Sequence, residues 1–90
     1  MKMNWYMVFL KVEPNHTDEV VGRLRKLRKN PTPEINLHYA YNVFGTWDAC
    51  VWFQATTQDH AMTFVQKYIR PISHVTETNI IPTTTINEYK

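Results

Sequence analysis

Trp5-Tyr6-Met7-Val8-Phe9-Leu10-Lys11-Val12, near the start of the chain, is the stretch that decides the fold. Aromatic, β-branched and long aliphatic side chains fill it, and it stops at Glu13-Pro14-Asn15, a combination typical of a turn. The stretch therefore predicts a β-strand. Because both alternating sets of side chains are apolar, this strand should lie in the middle of a sheet, with one face against helices and the other facing a second apolar surface.

Two segments have the spacing of amphipathic helices. The first is expected to run to about Asn30, and its apolar stripe consists of Val20, Val21, Leu24 and Leu27. Its candidate N-caps are Asn15, Thr17 and Asp18. The second is expected to begin after Thr57 as its N-cap and to end before Pro71. Its buried stripe is predicted to consist of Ala61, Met62, Phe64, Val65, Tyr68 and Ile69.

Three further segments predict strands. Glu34 to Phe44 is extended after two prolines, and its apolar residues alternate with polar ones, which predicts a strand with one wet face. The residues expected to share its apolar face are Ile35, Leu37, Tyr39, Tyr41 and Val43. Gly45 to Asp48 predicts a short reversal into a hydrophobic strand from Ala49 to Ala55. A last strand from Val75 to Tyr89 is expected to be interrupted at Pro82, which has no N–H for the ladder.

The resulting order, βαββαβ, predicts an α+β protein of the ferredoxin-like type. Short connections and right-handed crossovers favour a four-stranded antiparallel sheet in the order 4-1-3-2, with both helices on one face. The other face would then expose at least three large apolar side chains of about 150 Å² each. Such a patch is close to the most that a soluble monomer exposes. We therefore expect a homodimer that packs sheet on sheet, as in the dimeric α/β-barrel arrangement.

Composition and charge argue against several classes of protein. The net charge of +2 is too small to mark a binder of the phosphate backbone. The longest apolar run, Trp5 to Leu10, is far shorter than the roughly 20 residues of a membrane span, so a cytoplasmic protein without membrane contact is expected. Cys50 is the single cysteine of the chain, and we predict that it is buried as a small apolar residue. No metal or other cofactor is predicted, because no two of the histidines have ligand spacing. They are His16, His38, His60 and His74.

Several motifs, in order, resemble the ligand-binding domain of the leucine-responsive and asparagine-responsive (Lrp/AsnC) family of transcription regulators, also called the RAM domain. Gly45-Thr46-Trp47-Asp48 resembles the Gly-x-aromatic-Asp turn of that family. Phe64 to Ile72 resembles its second helix and exit, and Val75 to Thr78 resembles its Val-x-x-Thr entry to the last strand. Tyr6 to Pro14 looks like its opening strand. The resemblance covers nearly all of the chain and implies one domain over residues 1–90.

The resemblance implies a non-catalytic module that senses an amino acid or similar small metabolite and assembles into dimers and then a larger ring, an octamer or similar. In the family the effector binds where dimers meet, against the turn between the second and third strands. The residues to which this carries over are Gly45, Thr46, Trp47, Asp48, Thr76 and Thr78. Asp48 would accept from the α-ammonium group of the effector. The competing interpretation is that Asp48 only bonds the backbone amides of its own turn.

Two departures from the family pattern bear on function. The chain begins Met1-Lys2-Met3-Asn4-Trp5 and passes directly into the first strand, whereas family regulators carry a helix-turn-helix ahead of this domain. We therefore expect a stand-alone form without direct DNA binding. It would modulate transcription by co-assembly with a full-length regulator of the same family, or it would control an enzyme. Ser73-His74 stands where many relatives have a glycine before the valine.

Two other functions remain open on the sequence. His38 and Tyr39 on the second strand fit a cofactor-less oxygenase of the dimeric α/β-barrel type, although no nucleophile and base stand at a defined spacing. Aromatic residues on an open sheet also fit an RNA-recognition platform that stacks bases. Against that, Asp48 to Phe53 begins with an acid and has neither the glycine nor the basic residue of such a strand.

Overall fold

The computed structural model describes residues 2–90 and contains four strands and two helices in the predicted order. The strands are β1 (Asn4–Val12), β2 (Ile35–Asn42), β3 (Ala49–Ala55) and β4 (Val75–Thr83). The helices are α1 (Thr17–Arg25) and α2 (Gln58–Phe64), and α2 continues as a π-helical segment, Val65–Ile69. Over residues 2–90, neither helix has the length and apolar character that crossing a bilayer requires.

The strands form one antiparallel sheet in the order β2-β3-β1-β4. The predicted ferredoxin-like α+β fold and strand order are therefore confirmed. β1 lies in the middle, where Met7 is opposite Trp52 on β3 and opposite Ile81 on β4. This position satisfies the hydrogen-bonding groups on both edges of the most apolar strand.

The core lies between the sheet and the helices. Tyr6, Val8 and Leu10 of β1 point into it and are buried, whereas Trp5, Met7 and Phe9 point to the other side. Phe53 is fully buried; its ring lies 5.7 Å from that of Tyr6 and 5.0 Å from that of Phe64 on α2, measured between centroids. Aromatic contacts therefore join the two central strands to α2.

α1 is shorter than the sequence predicts, and the expected end near Asn30 is wrong. After Arg25 the backbone tightens: the N–H of Lys26 donates to the carbonyl of Arg23 at 3.2 Å. The carbonyl of Lys29 accepts from the N–H of Leu37 at 2.7 Å. Lys29 is therefore bonded to β2 and not to a further turn of α1. The side-chain amide of Asn30 donates to the carbonyl of Ile35 at 3.0 Å. These bonds to β2 replace the last turn of the predicted helix.

The two helix starts differ in their capping. Thr57 caps α2 as predicted, because its hydroxyl accepts from the N–H of His60 at 3.2 Å. At α1 the predicted caps are wrong: His16 occupies the N-cap position and makes no side-chain cap bond. Its ring instead contacts Glu19, with Nδ1 3.0 Å from Oε1. Met62, expected on the buried stripe of α2, is 51% exposed.

A β-bulge in β2 overturns the predicted face of that strand. Leu37 is opposite Phe53, but Tyr39 is opposite Trp52, so β2 contributes one more residue than β3 between these two pairs. The extra residue, His38, shifts the alternation by one. Ile35 and Leu37 face the helices, whereas Tyr39 and Tyr41 face the opposite side with Trp52. A strict period of two could not predict this change.

β4 is an edge strand that passes through Pro82 and ends at Thr83, so the predicted interruption and the predicted end at Tyr89 are both wrong. An edge strand tolerates proline because one side of its ladder has no partner. The segment after β4, residues 84–90, borders a cavity of about 750 Å³ whose other walls include Trp5, Met7 and Trp52. The chain therefore ends beside the sheet face that the helices leave uncovered.

The placement of Phe53 predicts a large cost for its truncation. Phe53→Ala should lower the free energy of unfolding by about 3–5 kcal/mol, because it removes a fully buried ring and leaves a cavity. Phe44→Ala is the matched control, since Phe44 is 95% exposed and its loss should change stability by less than about 0.5 kcal/mol. Urea unfolding at one fixed protein concentration measures both. Equal losses in the two variants would contradict this core.

Candidate functional site

The sheet face turned away from the helices, here called the open face, is largely apolar. Its large apolar residues are Trp5, Met7, Phe9, Tyr39, Tyr41, Trp52 and Ile81. The Trp52 ring is central: its centroid lies 4.8 Å from Trp5 and 5.6 Å from Tyr39. Tyr39 is 54% exposed, Tyr41 46% and Ile81 39%. The open face is thus an apolar surface that crosses all four strands and is aromatic on β1, β2 and β3.

His38 borders the open face, because the bulge turns its side chain toward Trp5, with ring centroids 4.5 Å apart. Its Nε2 lies 2.9 Å from Oε1 of Gln54 and 3.0 Å from Nδ2 of Asn36. With Nε2 protonated the ring donates to Gln54, and with Nε2 free it accepts from Asn36. Both partners are neutral amides, so the ring lacks the carboxylate that commonly orients a catalytic histidine.

The turn at residues 45–48 lies at one end of the open face. Gly45 has φ +116°, a conformation that favours glycine. The Trp47 ring lies 6.1 Å from that of Phe9, centroid to centroid, and the Lys11 ammonium lies 5.5 Å from the Trp47 centroid. Thr46 is exposed. Trp47 therefore extends the aromatic surface of the open face and meets a cation at its end.

Asp48 and Thr76 bind the same peptide group of β1 from opposite sides. The N–H of Val12 donates to Oδ2 of Asp48 at 2.8 Å. The Thr76 hydroxyl donates to the carbonyl of Lys11, across that same peptide bond, at 3.3 Å. The pairing of β1 with β4 shifts register between Lys11 and Val12, so the two side chains fix the peptide where the ladder is irregular. One Asp48 oxygen is thus engaged in the fold.

Three of the six predicted binding residues line two different cavities, and Gly45, Thr46 and Trp47 line neither of them. Asp48 lines one of about 470 Å³ against α1, together with Asp18 and Arg25. Thr76 and Thr78 line another, of about 300 Å³, whose other walls are Arg70, Val75 and Glu77. Arg70 is a polar group that the sequence analysis missed, since helical spacing alone assigns it to the outer side of the second helix. The turn after Pro71 brings it to the start of β4.

Cys50 is buried between Phe9 and Tyr41 in the strand register, as the sequence predicted. Burial raises the pKa of its thiol, because the low-polarity surroundings disfavour the thiolate. The thiolate is the reactive form, so the folded protein should keep this thiol unreactive. Cys50 therefore belongs to the packing of the sheet.

The bond from Val12 to Asp48 predicts how substitutions of Asp48 affect stability. Asp48→Ala should lower the free energy of unfolding by about 1.5–3 kcal/mol, since it leaves a partly buried N–H without its charged acceptor. Asp48→Asn keeps an acceptor oxygen and should lose less. Urea unfolding compares the two variants. If both are as stable as the parent protein, the bond does not hold the end of β1.

The raised pKa of Cys50 predicts slow modification by a thiol reagent. At mildly alkaline pH, Ellman's reagent should react much more slowly with the folded protein than with protein in guanidinium chloride. Because the unfolded thiol ionises at lower pH, the free energy of unfolding should fall as pH rises past the ordinary thiol pKa. Cys50→Ala should remove that part of the pH dependence. Equal labelling rates in folded and unfolded protein would contradict the burial.

Comparison with solved structures finds chains of the same architecture. AsnC from E. coli superposes with a TM-score of 0.76 at 10% identity, over 96% of this chain and 54% of AsnC. FFRP-DM1 gives 0.70 at 21% identity, over 91% of this chain and 100% of that one. The transcriptional regulator NMB0573 from Neisseria meningitidis, in its complex with L-Met, gives 0.72 at 12% identity, over 96% and 53%.

The chain thus spans about half the length of AsnC and NMB0573. The sequence matches no protein-family model and no curated protein. At these identities the likeness concerns architecture, and it agrees with the strand order and helix placement described above. The chain has the fold of the ligand-binding domain of Lrp/AsnC-family transcription regulators.

Proposed function

We propose that this chain is a non-catalytic sensing and oligomerisation module. It binds an amino acid or similar small metabolite, pairs with a second copy through the open face, and assembles further into a ring of octameric or similar size. The fold shared with AsnC and NMB0573 supports a regulatory role, and the NMB0573 structure contains L-Met. The open face is the observation that carries the proposal, because it accounts for the predicted assembly.

A second copy suits the open face for reasons of area and composition. A stable interface buries about 800 Å² on each partner and is enriched at its centre in aromatic residues and Met. The open face offers two tryptophans and two tyrosines across three strands. Beside it, Ile86 and Tyr89 of the C-terminal segment are 101% and 89% exposed. Pairing with a second sheet would remove these apolar groups from water.

The chemistry of an amino acid fits the residues around β4. Arg70 and Glu77 border the same cavity and offer opposite charges, one for an α-carboxylate and one for an α-ammonium group. Thr76 and Thr78 add hydroxyls there. In the proposed assembly the turn residues Gly45, Thr46, Trp47 and Asp48 come from a neighbouring copy, since within one chain Asp48 lines a different cavity from Thr76 and Thr78. The effector would then bind only in the assembly.

Regulation would follow if effector binding favours one assembly state over another. In this proposal the module binds no DNA directly and acts in the cytoplasm on a full-length Lrp/AsnC-type regulator by co-assembly. The proposal assigns no catalytic role to His38 or Tyr39. The neutral amides around the His38 ring support that assignment.

Substitution in the open face should break the dimer. Met7→Lys places a charge beside Trp52 and Ile81 at the centre of the proposed interface, where desolvation of an unpaired ammonium is costly. Sedimentation equilibrium should find the parent protein dimeric or larger and Met7→Lys shifted to the monomer. Met62→Lys is the control, since Met62 is exposed on α2, and its mass should not change. A monomeric parent protein would refute the proposed assembly.

Amino acids should stabilise the protein, and Arg70 should be required. The test is a thermal-shift screen of the twenty amino acids, beginning with L-Met. An effector at 100 times its Kd adds about 2.7 kcal/mol to the free energy of unfolding and so raises the melting temperature. Arg70→Ala should abolish the shift, whereas Lys67→Ala, a cation on the same helix outside the cavity, should retain it. No shift with any amino acid would reduce the module to an assembly scaffold and refute the sensing role.

A further inference from the structure

Four side chains that the proposed function does not use meet where β1, α1 and β4 come together. They are Glu13, His16, Glu19 and His74, here called the imidazole–carboxylate cluster. His16 and His74 are far apart in sequence, yet their rings stack with centroids 3.5 Å apart and an angle of 10° between planes. Ligand atoms of Glu13, His16 and His74 all lie within 4.8 Å of one another. The fold thus creates a constellation that sequence spacing conceals.

The contacts of His74 place a carboxylate oxygen beside each of its ring nitrogens. Nδ1 lies 2.9 Å from Oε2 of Glu13, and Nε2 lies 3.3 Å from Oε2 of Glu19. A neutral imidazole has one N–H and donates to one of these carboxylates, whereas an imidazolium has two and donates to both. His16 adds a third contact, with Nδ1 3.0 Å from Oε1 of Glu19. A divalent cation that displaced the ring protons would take one nitrogen from each imidazole and a carboxylate oxygen as ligands, after the two rings turn out of their parallel stack.

The backbone holds the three ligand-bearing residues in place. The N–H of Glu13 donates to the carbonyl of His74 at 2.9 Å, and the N–H of His16 donates to the carbonyl of Glu13 at 3.2 Å. His74 has φ +75°, in the left-handed region that disfavours a residue with a Cβ. It stands where the family resemblance predicts glycine, the residue that adopts this conformation without strain. A histidine at this position raises the conformational free energy of the backbone, and its ring lies in the cluster.

We propose that Glu13, His16 and His74 bind a divalent transition-metal ion of the Zn²⁺ class. Two imidazoles and one carboxylate form a ligand set that Zn²⁺ takes with a water or another group in the fourth position. Glu19 provides a carboxylate beside both rings. The His16 and His74 side chains are 34% and 29% exposed, so the ion has access from solvent. The bound ion joins the start of α1 to the start of β4, and the site does not depend on the proposed sensing role.

Isothermal titration of the metal-free, tag-free protein with ZnCl₂ near neutral pH tests this site. One ion per chain should bind, and Zn²⁺ should raise the melting temperature. Co²⁺ bound in place of Zn²⁺ should give the visible absorption of a four-coordinate ion with nitrogen and oxygen ligands. His16→Gln and His74→Gln should each raise the Kd for Zn²⁺ by more than about tenfold, because each removes a direct ligand. Loss of a residue that only hydrogen-bonds to a ligand already changes metal affinity by about 10–100-fold.

Two further variants separate metal binding from folding. His74→Gly removes the ligand but suits the left-handed backbone, so it should fold at least as stably as the parent protein without metal and should lose the Zn²⁺-dependent rise in melting temperature. His60→Gln is the control, because His60 lies on α2 beside Thr56 and Thr57, and its Zn²⁺ isotherm should match that of the parent. Identical isotherms for the parent and His74→Gly, or no Zn²⁺ binding by the parent, would overturn the site.

Discussion

The apolar character of both faces of β1 is the constraint from which the rest of the structure follows. Tyr6, Val8 and Leu10 enter the core, and their neighbours Trp5, Met7 and Phe9 point to the open face. A strand of this kind needs partners on both edges and apolar contacts on both sides, which places it between β3 and β4. The helices provide contacts on one side only. The other side is the open face, to which the proposed function assigns a second copy.

The polar groups of interest gather near the end of β1. There the peptide between Lys11 and Val12 is bound by Asp48 on one side and Thr76 on the other. The imidazole–carboxylate cluster follows directly after this strand, and the cavity bordered by Arg70 and Glu77 lies at the start of β4. At this end the pairing of β1 with β4 is irregular, so side chains bind backbone groups that a regular ladder would pair with each other. Packing of β1 and placement of the candidate sites are therefore linked.

The sequence predicted what depends on local pattern. The apolar character of Trp5 to Val12 and the edge character of β4, with its proline, were enough for the strand order. It could not predict features that arise from contacts distant in sequence. The bulge at His38 depends on pairing with β3, the early end of α1 depends on the bond from Leu37 to Lys29, and the meeting of His16 with His74 depends on the whole fold. The placement of Asp48 and Thr76 in two different cavities likewise depends on contacts between residues distant in sequence.

Small-angle scattering of the purified protein across a dilution series tests most directly whether a second copy completes the open face. One chain has a radius of gyration of 13.0 Å over its Cα atoms and a mass of 10.7 kDa. A compact pair of such chains should give about 16 Å. The account predicts at least this radius, and at least twice the mass of one chain, down to the lowest concentration measured. A radius near that of the single chain, with the mass of one chain throughout the series, would contradict it.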